Sequence, residues 1–336
     1  MNKETFSIPL IEWYQQNKRS LPFRNDNNPY SIWVSEIMAQ QTQIATMLPY
    51  YNAWMAKWPT IESLAAANDQ QVKKQWEGLG YYRRASNLLK GASYVMEHHQ
   101  GIFPEDPAEI NKIPGIGDYT TGAIASIAFH LPVPAIDGNV IRVMSRISED
   151  DRDFLKIKNK RELTVTLKQL MAEVNPSDFN QGLMELGALV CTPVNPKCDE
   201  CPLSKICLAY KNGTTDSYPV KRAKTKVITL EFDTFVYLKN DQILVSSDDS
   251  DGLMEGLLRL PQVNRNEISH QNMTLEYSSK HVYSHRIWLM DIYRCDSLEL
   301  LNPKWFWLDV SEIEQASFAG AHKKVIDKLV KKNISD

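Results

Sequence analysis

The chain is most informative at Ile113-Pro114-Gly115-Ile116-Gly117-Asp118-Tyr119-Thr120-Thr121-Gly122, which runs directly into the apolar segment 123–129. Two closely spaced glycines allow a tight turn at the start of a helix, because glycine tolerates backbone angles that other residues avoid. The amide groups of that helix N-terminus can hold a phosphate without reading a base. A dinucleotide-binding loop is excluded, because residues 110–114 do not form a strand and the third glycine of that fingerprint is misplaced. An ordinary corner between helices is the alternative, and a helical hairpin that holds a nucleic-acid backbone is the favoured interpretation.

Four cysteines further along form the run C-x6-C-x2-C-x5-C: Cys191, Cys198, Cys201 and Cys207. Such short spacing on a proline-containing stretch allows four thiolates to reach one inorganic centre. Two disulfides are disfavoured, because the one other cysteine, Cys295, stands alone and no secretory signal is present. Structural zinc sites usually pair two C-x2-C units across a longer loop. The spacing therefore favours an iron–sulfur centre and leaves zinc as the alternative.

Length and composition bound the remaining possibilities. The 336 residues, 43% of them apolar, are enough for two domains with separate cores. The net charge of −3 excludes a uniformly basic protein that coats nucleic acid, but not a local basic face. The N-terminal residues show no signal-peptide pattern, and no run of eighteen apolar residues occurs. We therefore expect a cytoplasmic protein without a membrane-spanning segment.

The sequence divides into three parts. Residues 1–210 show helical periodicity broken by short Pro and Gly turns, which predicts a helical domain. Residues 211–226 join a polar stretch to a basic cluster and are expected to form a linker. Residues 227–336 predict a smaller α+β domain, so the fold class is multi-domain, α followed by α+β. The elements predicted for this last domain are strands at 228–232, 235–238 and 243–245, a turn at 239–241, a strand from His281 to Tyr293, and a closing helix at 316–330.

Two acidic residues far apart in the chain form a candidate catalytic pair. Asp137 lies where a helix should begin, so the helix N-terminus is expected to lower its pKa and keep it ionised. Trp33, Ile37, Gln40 and Ile44 are expected to share one helical face with Glu36 or beside it, and burial there should raise the pKa of Glu36. One protonated and one ionised carboxyl suit the cleavage of a glycosidic bond through a cationic sugar. The alternatives are a plain N-cap and a solvated surface glutamate.

Together these motifs resemble those of a known family. In chain order they are Glu36 with Gln40-Gln41-Thr42, Gly78-Leu79-Gly80-Tyr81-Tyr82, the hairpin 114–117, Asp137-Gly138-Asn139 and the four cysteines. They are similar to the motifs of the MutY-type adenine DNA glycosylases, which belong to the endonuclease III-like helix–hairpin–helix superfamily. The resemblance covers residues 10–210. It implies a helix–hairpin–helix at about 108–128 and an iron–sulfur loop at 191–207 whose cysteines hold a [4Fe-4S] cluster.

The resemblance also implies a reaction. Bifunctional members of the superfamily carry a lysine two residues after the second hairpin glycine, and its amine attacks the sugar. This chain has Tyr119 there, so the resemblance implies a monofunctional glycosylase that removes adenine mispaired with 8-oxoguanine or guanine. The adenine must first be flipped out of the duplex. Glu36 would then protonate N7 of the base and Asp137 would stabilise the cationic sugar, while Tyr119 and Asn139 orient the pair.

Binding roles follow from the same resemblance. The adenine-pocket positions are Leu21, Phe23, Arg24, Ile44 and Glu185. The positions that contact the DNA or fill the vacated space are Gln40, Gln41, Thr42, Leu79, Tyr81, Gly115 and Gly117. For Arg24 and Glu185 a structural ion pair is an equally good interpretation. Phe23 and Ala39 replace the family's usual Trp and Leu, which concerns the shape of the pocket and not its chemistry.

The C-terminal part resembles a nucleotide-diphosphate hydrolase (Nudix-like) domain that has lost catalysis and recognises the 8-oxoguanine opposite the adenine. The glutamate cluster of active hydrolases is missing after residues 252–255. Tyr283-Ser284-His285 matches the family's lesion-reading loop, with Tyr in place of Phe. Ser284 is expected to bond the N7 hydrogen that distinguishes 8-oxoguanine from guanine, and His285 to lie against the phosphate backbone.

Two other functions remain as alternatives. The first is a bifunctional glycosylase and abasic-site lyase for oxidised pyrimidines, which Tyr119 disfavours. The second is a non-catalytic iron–sulfur protein that binds damaged DNA, which the paired carboxylates Glu36 and Asp137 disfavour. The expected partner in each case is duplex DNA, containing A:8-oxoguanine or A:G mispairs in the favoured case. We expect a monomer, and the sequence does not identify protein partners.

Overall fold

The structure is a computed structural model that describes residues 1–24, 26–220, 227–250, 256–265, 267, 273–283, 286–296 and 302–330. The chain divides into two compact units, and residues 67–86 belong with the C-terminal one. The first unit comprises Met1–Ala66 and Asn87–Arg222, and the second comprises Ala67–Ser86 and Ala223–Asp336. Among the described residues, no helix has the length and apolar character that a bilayer crossing requires.

Helices dominate the chain up to residue 211. In chain order they are α1 (Ile8–Asn17), α2 (Pro29–Ala39), α3 (Ile44–Lys57), α4 (Ile61–Ala65), α5 (Asp69–Gln75), α6 (Arg83–His99), α7 (Pro107–Ile110), α8 (Asp118–Ile127), α9 (Gly138–Ser148), α10 (Ile157–Met171), α11 (Pro176–Leu189) and α12 (Leu208–Lys211). A π-helical turn (Lys3–Ser7) precedes α1, and 3-10 turns lie at Pro22–Arg24, Cys198–Glu200, Ser204–Ile206 and Thr215–Ser217. Helix α7, the turn at 111–117 and helix α8 form the predicted hairpin.

Local chemistry explains where several helices begin. The Asn28 side chain accepts the N–H of Tyr30 at the start of α2, and Asn175 caps α11 in the same way. Each cap is followed by a proline, Pro29 or Pro176, whose missing N–H would have no partner in the first turn anyway. These caps fix the register of two helices that carry acidic side chains of the site.

One hydrophobic core of the first unit lies among α1, α9, α10 and α11. Leu10, Val143, Leu167 and Leu183 are representative of its fully buried side chains. Burial of one such side chain contributes about 1.5–3 kcal/mol, so α9 is held firmly along its apolar face. This packing makes the N-terminus of α9 a rigid platform.

The second unit contains a mixed sheet of six strands among the described residues. The strands are β1 (Ile228–Lys239), β2 (Gln242–Ser246), β3 (Gln262–Asn264), β4 (Met273–Tyr283), β5 (Arg286–Cys295) and β6 (Trp305–Asp309). Their order is β4-β5-β1-β2-β6, with β3 paired to β1. The β1–β5 pair is parallel and the others are antiparallel. Helix α13 (Gly320–Leu329) packs on this sheet through Val325 and Ile326.

The predicted class, α followed by α+β, is confirmed, and four details differ. The strands predicted separately at 228–232 and 235–238 are one strand, β1. The predicted strand from His281 to Tyr293 is wrong, because those residues lie on two antiparallel strands, β4 and β5. The closing helix begins at Gly320 and not at residue 316, since Leu258 pairs with Phe318 in an isolated bridge first. Helix α2 ends at Ala39, so Ile44 belongs to another helix. The β1–β2 hairpin forms as predicted around the left-handed residues Asn240 and Asp241.

Candidate active site

The candidate site is an open cavity of about 830 Å³ in the first unit. It is lined by side chains from α2, the turn after it, α8, the start of α9 and α11. Among the predicted residues, the cavity contains Leu21, Phe23, Arg24, Glu36, Gln40, Gln41, Thr42, Ile44, Tyr119, Asp137, Asn139 and Glu185. Residues from both ends of the helical sequence therefore meet at one place.

Glu36 lies on α2 and is partly exposed to the cavity. Its Oε2 accepts a hydrogen bond from the Tyr119 hydroxyl at 2.5 Å. Burial, together with the nearby Asp137 charge, raises the pKa of Glu36 to about 6, although the Tyr119 bond and Arg24 act in the opposite direction. The Glu36 carboxyl is thus poised to hold a proton close to neutral pH.

Tyr119 is fixed as a proton donor. Burial and the nearby charges of Glu36 and Asp137 raise its pKa well above the ordinary value, so the phenol stays protonated. Its oxygen also lies 3.4 Å from the Met184 sulfur, which the sequence analysis missed. Tyr119 therefore orients Glu36 and offers no amine to a sugar.

Asp137 caps α9, as the sequence predicts. Its Oδ1 accepts the Val140 N–H at 2.8 Å, and its Oδ2 accepts the Asn139 side-chain amide at 2.8 Å. The prediction that its pKa is lowered overall is wrong, although the amides of the helix N-terminus do act in that direction. Burial raises the pKa of Asp137 above its ordinary value, because loss of solvation outweighs these hydrogen bonds and the Arg142 charge.

Arg142 connects Asn139 to the cysteine loop. One guanidinium nitrogen, Nη2, donates to Asn139 Oδ1 and to the Gly187 carbonyl, each at 2.7 Å, and Nε donates to the Cys191 carbonyl at 2.7 Å. The sequence analysis missed Arg142. Its position three residues after Asn139, on the same helical face, was the available signal.

The helix break after Ala39 changes how the pocket is built. Gln41 adopts a left-handed conformation with φ of 57°, which ends α2 and separates Ile44 from the helical face of Glu36. The expectation that Glu36 and Ile44 share a helical face is therefore wrong. The turn nevertheless brings Gln40, Gln41 and Ile44 to the same cavity wall.

Glu185 is the centre of a buried ion-pair network. Its side chain is 1% exposed and accepts hydrogen bonds from Arg19 Nε at 2.7 Å and from Arg24 Nη2 at 2.8 Å. Burial alone would raise its pKa, but the bonds to Arg19 and Arg24 outweigh it and hold the pKa at about 2. The predicted Arg24–Glu185 ion pair thus exists and also lines the cavity, while Arg19 was missed.

Gly115 and Gly117 of the hairpin differ in backbone conformation and in the space around them. Gly115 has φ of 83°, and a Cβ there would lie 2.6 Å from the Asn87 Cβ. Gly117 has φ of −111° and caps α8, and a Cβ there would meet nothing within 4 Å. The turn itself therefore requires Gly115, whereas Gly117 leaves the hairpin amides open to an approaching ligand.

Leu79 and Tyr81 belong to the second unit and do not line the active-site cavity. Hydrogen bonds from neighbouring side chains hold the backbone of their loop in place. The Gly80 carbonyl accepts hydrogen bonds from Trp76 Nε1 at 3.0 Å and Arg84 Nη2 at 3.1 Å. Tyr81 has φ of 49° and its side chain is 48% exposed. The loop thus presents a tyrosine to solvent on a braced backbone.

The segment 283–285, which is predicted to read the lesion, is described only at Tyr283. Tyr283 ends β4 and its ring packs edge-on against Trp288 at 4.9 Å, with His281 at 4.5 Å on another side. Ser284 and His285 lie outside the described residues.

The four predicted ligand cysteines line one small cavity at the end of α9 and α11, and none of them forms a disulfide. Among the described residues, no three Cys, His, Asp or Glu side chains are close enough to share a single metal ion. Arg146 is 2% exposed in the cavity wall and donates to Cys191 Sγ at 3.4 Å. Four thiols and one buried cation suit an anionic iron–sulfur centre.

Comparison with family models defines the class of protein. Residues 34–171 match the HhH-GPD superfamily base excision DNA repair protein, residues 191–207 match the iron-sulfur binding domain of endonuclease III, and residues 234–328 match a NUDIX domain. The fold and site thus define a helix–hairpin–helix protein of base excision repair with a Nudix-like C-terminal domain. The predicted [4Fe-4S] cofactor is confirmed, which decides against zinc. That the four cysteines are its ligands stays a prediction, and all four lie within the matched residues 191–207.

Individual relatives identify the family. An adenine DNA glycosylase of Buchnera aphidicola subsp. Baizongia pistaciae is 31% identical over 361 residues, covering 99% of this chain and 99% of the relative. One of Arabidopsis thaliana is 41% identical over 305 residues, covering 77% of this chain and 47% of the relative. The chain belongs to the adenine DNA glycosylase family, as its motifs predict.

Two further findings bound the comparison. The matched part of the chain spans less than half the length of the Arabidopsis, mouse and human relatives. Among solved structures, a thermostable thymine-DNA glycosylase aligns with a TM-score of 0.58 at 26% identity, over 62% of this chain and 97% of that one.

Proposed function

We propose that this chain is a monofunctional DNA glycosylase that flips out and excises adenine mispaired with 8-oxoguanine or guanine in duplex DNA. The observation that carries the proposal is the pairing of Glu36 and Asp137 at one cavity, with Tyr119 bonded to Glu36 where a lyase would need a lysine. Within the described residues, neither Glu36 nor Asp137 forms an ion pair. Family membership supports the same substrate class.

In the proposed mechanism the two carboxyls act on opposite sides of one bond. Glu36, whose pKa is about 6, donates its proton to N7 of the extruded adenine, and the bond between N9 and C1′ breaks. The ionised Asp137 stabilises the cationic sugar, and Asn139 holds one of its oxygens in place. Water adds to C1′ and gives its proton to the Glu36 carboxylate, which restores the acid and leaves an abasic site.

The ion-pair network shapes the base pocket in this proposal. Glu185 is already saturated by Arg19 and Arg24, so it positions these guanidinium groups and is not a base. Leu21 and Phe23 are buried beside them and supply the apolar part of the pocket. Positioning of this kind holds the adenine in one orientation toward Glu36.

Further roles are assigned to DNA-contacting residues. Gln41, Leu79 and Tyr81 are assigned to the space that the adenine leaves, and Gln40 and Thr42 to contacts with the DNA. The hairpin glycines present amides to a phosphate. The exposure of Tyr81 on its braced loop supports this assignment. Ser284 and His285, with Tyr283 beside them, read the opposing 8-oxoguanine.

We assign the domains as residues 1–210 for excision, 211–226 as the linker and 227–336 for lesion recognition. When bound, the [4Fe-4S] cluster cross-links the four cysteines and so orders the loop 191–207. Arg142 and Arg146 join that loop to α9, the helix that Asp137 caps. The protein acts as a cytoplasmic, DNA-associated monomer.

A base-excision assay tests the proposal. A labelled duplex with adenine opposite 8-oxoguanine, guanine or thymine is incubated with the protein and then treated with alkali. We expect alkali-dependent cleavage for the first two duplexes, and a loss on the order of a hundred-fold or more for Glu36→Gln. Cleavage without alkali, or covalent trapping of the protein on DNA by borohydride, would indicate a lyase. Tight binding with no base release would leave a binding protein only.

A further inference from the structure

A second groove adjoins the active site on the other side of Tyr119. It has a volume of about 540 Å³ and lies between the hairpin helix α8 and helix α10. Tyr119 lines both this groove and the active-site cavity, so the groove lies next to the active site. The polar side chains of the groove are Asn111, Asp118, Thr121, Lys160, Arg161, Thr164 and Lys168.

The α10 side of this groove is basic. Arg161 and Lys168 are exposed there. Within the part of the chain that the structure describes, neither side chain forms an ion pair or a side-chain hydrogen bond. Lys160, one residue before Arg161, donates to Asp118 Oδ2 at 3.2 Å. The apolar residues Val133 and Leu155 complete the walls.

Asp118 places a negative charge at the end of the groove where the hairpin amides lie. It is the first residue of α8, directly after Gly117, and its side chain is 76% exposed. A carboxylate at this position would repel a phosphate that approaches the hairpin amides. Lys160 on α10 cancels that charge. Because of this ion pair, Asp118 repels an anion near the hairpin amides less strongly. Arg161 and Lys168 add positive charge further along the groove.

We propose that the groove between α8 and α10 binds the phosphodiester backbone of the DNA strand that enters the active site. The inference rests on the proposed function and extends it to α10. The shared residue Tyr119 places the groove beside the active site, which favours a strand whose nucleotide occupies that site, and the charges favour a polyanion. The apolar walls suit the deoxyribose rings, which carry no charge.

Salt dependence of DNA binding tests the inference. The affinity for an undamaged labelled duplex is measured by fluorescence anisotropy over a range of salt concentrations for the wild-type chain and the double variant Arg161→Gln/Lys168→Gln. Each lost phosphate contact lowers the slope of log K against log salt by about 0.9, and so costs on the order of tenfold at 0.1 M salt. The matched control is Lys57→Gln, an exposed lysine over the Trp58 ring that lines neither cavity. A slope equal to that of the wild-type chain would overturn the inference.

The Asp118–Lys160 pair provides a second test with opposite signs. Lys160→Gln should weaken binding more than Arg161→Gln does, because it exposes the Asp118 charge as well as removing a cation. Asp118→Asn should tighten binding. Equal losses for all three variants would contradict the proposed arrangement.

Failure of the inference and failure of the proposed function can be told apart. Both tests use an undamaged duplex and require no excision. A changed slope without adenine release would support the groove as a DNA-binding surface and refute the proposed activity. Normal excision with an unchanged slope would support the activity and refute the groove.

Discussion

Replacement of Glu36 by Gln should abolish excision and stabilise the fold at the same time. Glutamine keeps the shape of the side chain and can accept the Tyr119 hydrogen bond that Glu36 Oε2 now receives. It carries no proton to give and no charge to bury. Loss of a general acid reduces the rate on the order of a hundred- to ten-thousand-fold.

The stability gain follows from the raised pKa. In the folded protein the pKa of Glu36 is about 6, against an ordinary value of 4.5. The difference corresponds to about 2 kcal/mol, because one pKa unit is worth about 1.4 kcal/mol. The folded state binds the proton more tightly, so wild-type stability is unaffected below about pH 4.5 and falls as the pH rises through about 6. The advantage of the variant is therefore absent at low pH and complete above neutrality.

Thermal unfolding at several pH values measures this effect. A gain of about 2 kcal/mol raises the Tm by about 4–8 °C for a domain of 150–250 residues. We expect that shift at pH 8 and none at pH 4.5. Glu97→Gln, at an exposed position on α6, is the matched control and should show no pH-dependent shift.

A Glu36→Gln variant as stable as the wild-type chain at pH 8 would refute the reasoning. It would mean that Glu36 is solvated in the folded protein and ionised at neutral pH. The acid assignment would then lose its physical basis, even if excision were lost.

Three further outcomes are expected. Tyr119→Phe removes a bond that lowers the pKa of Glu36, so the alkaline limb of the pH–rate profile for adenine excision should move to higher pH; an unmoved limb would exclude Glu36 as the acid. Glu185→Gln breaks a buried ion pair and should cost about 3–5 kcal/mol in denaturant unfolding at pH 7. The wild-type advantage over that variant should disappear as the pH falls through about 2; equal stability of both proteins at pH 7 would contradict the buried network. Gly115→Ala should lower the Tm because φ is 83° there, whereas Gly117→Ala, in open space, should keep the Tm and weaken DNA binding; the reverse pattern would contradict the hairpin assignment.

Local patterns predicted the elements and most of the site. The Asp137 cap, the Gly115 turn and the cysteine spacing each depend on residues within a few positions of one another, so the sequence displays them directly. The same locality explains the errors. A left-handed Gln41 ends α2 without any Gly or Pro to announce it, and the single predicted strand at residues 281–293 spans a change of direction that alternation alone does not reveal.

What the sequence by itself determined is the class of fold and the cofactor, and it predicted the cluster ligands and the two carboxyls. Only the tertiary structure decided the direction in which the pKa of each carboxyl shifts, because desolvation depends on atoms brought from elsewhere in the chain. Burial reversed the expected pKa shift of Asp137. Folding also brought Glu185 into contact with Arg19, 166 residues away, and Asp118 into contact with Lys160 across the groove. Solvation and charge pairing depend on distances in space, and these cannot be read from the separation of two residues along the chain.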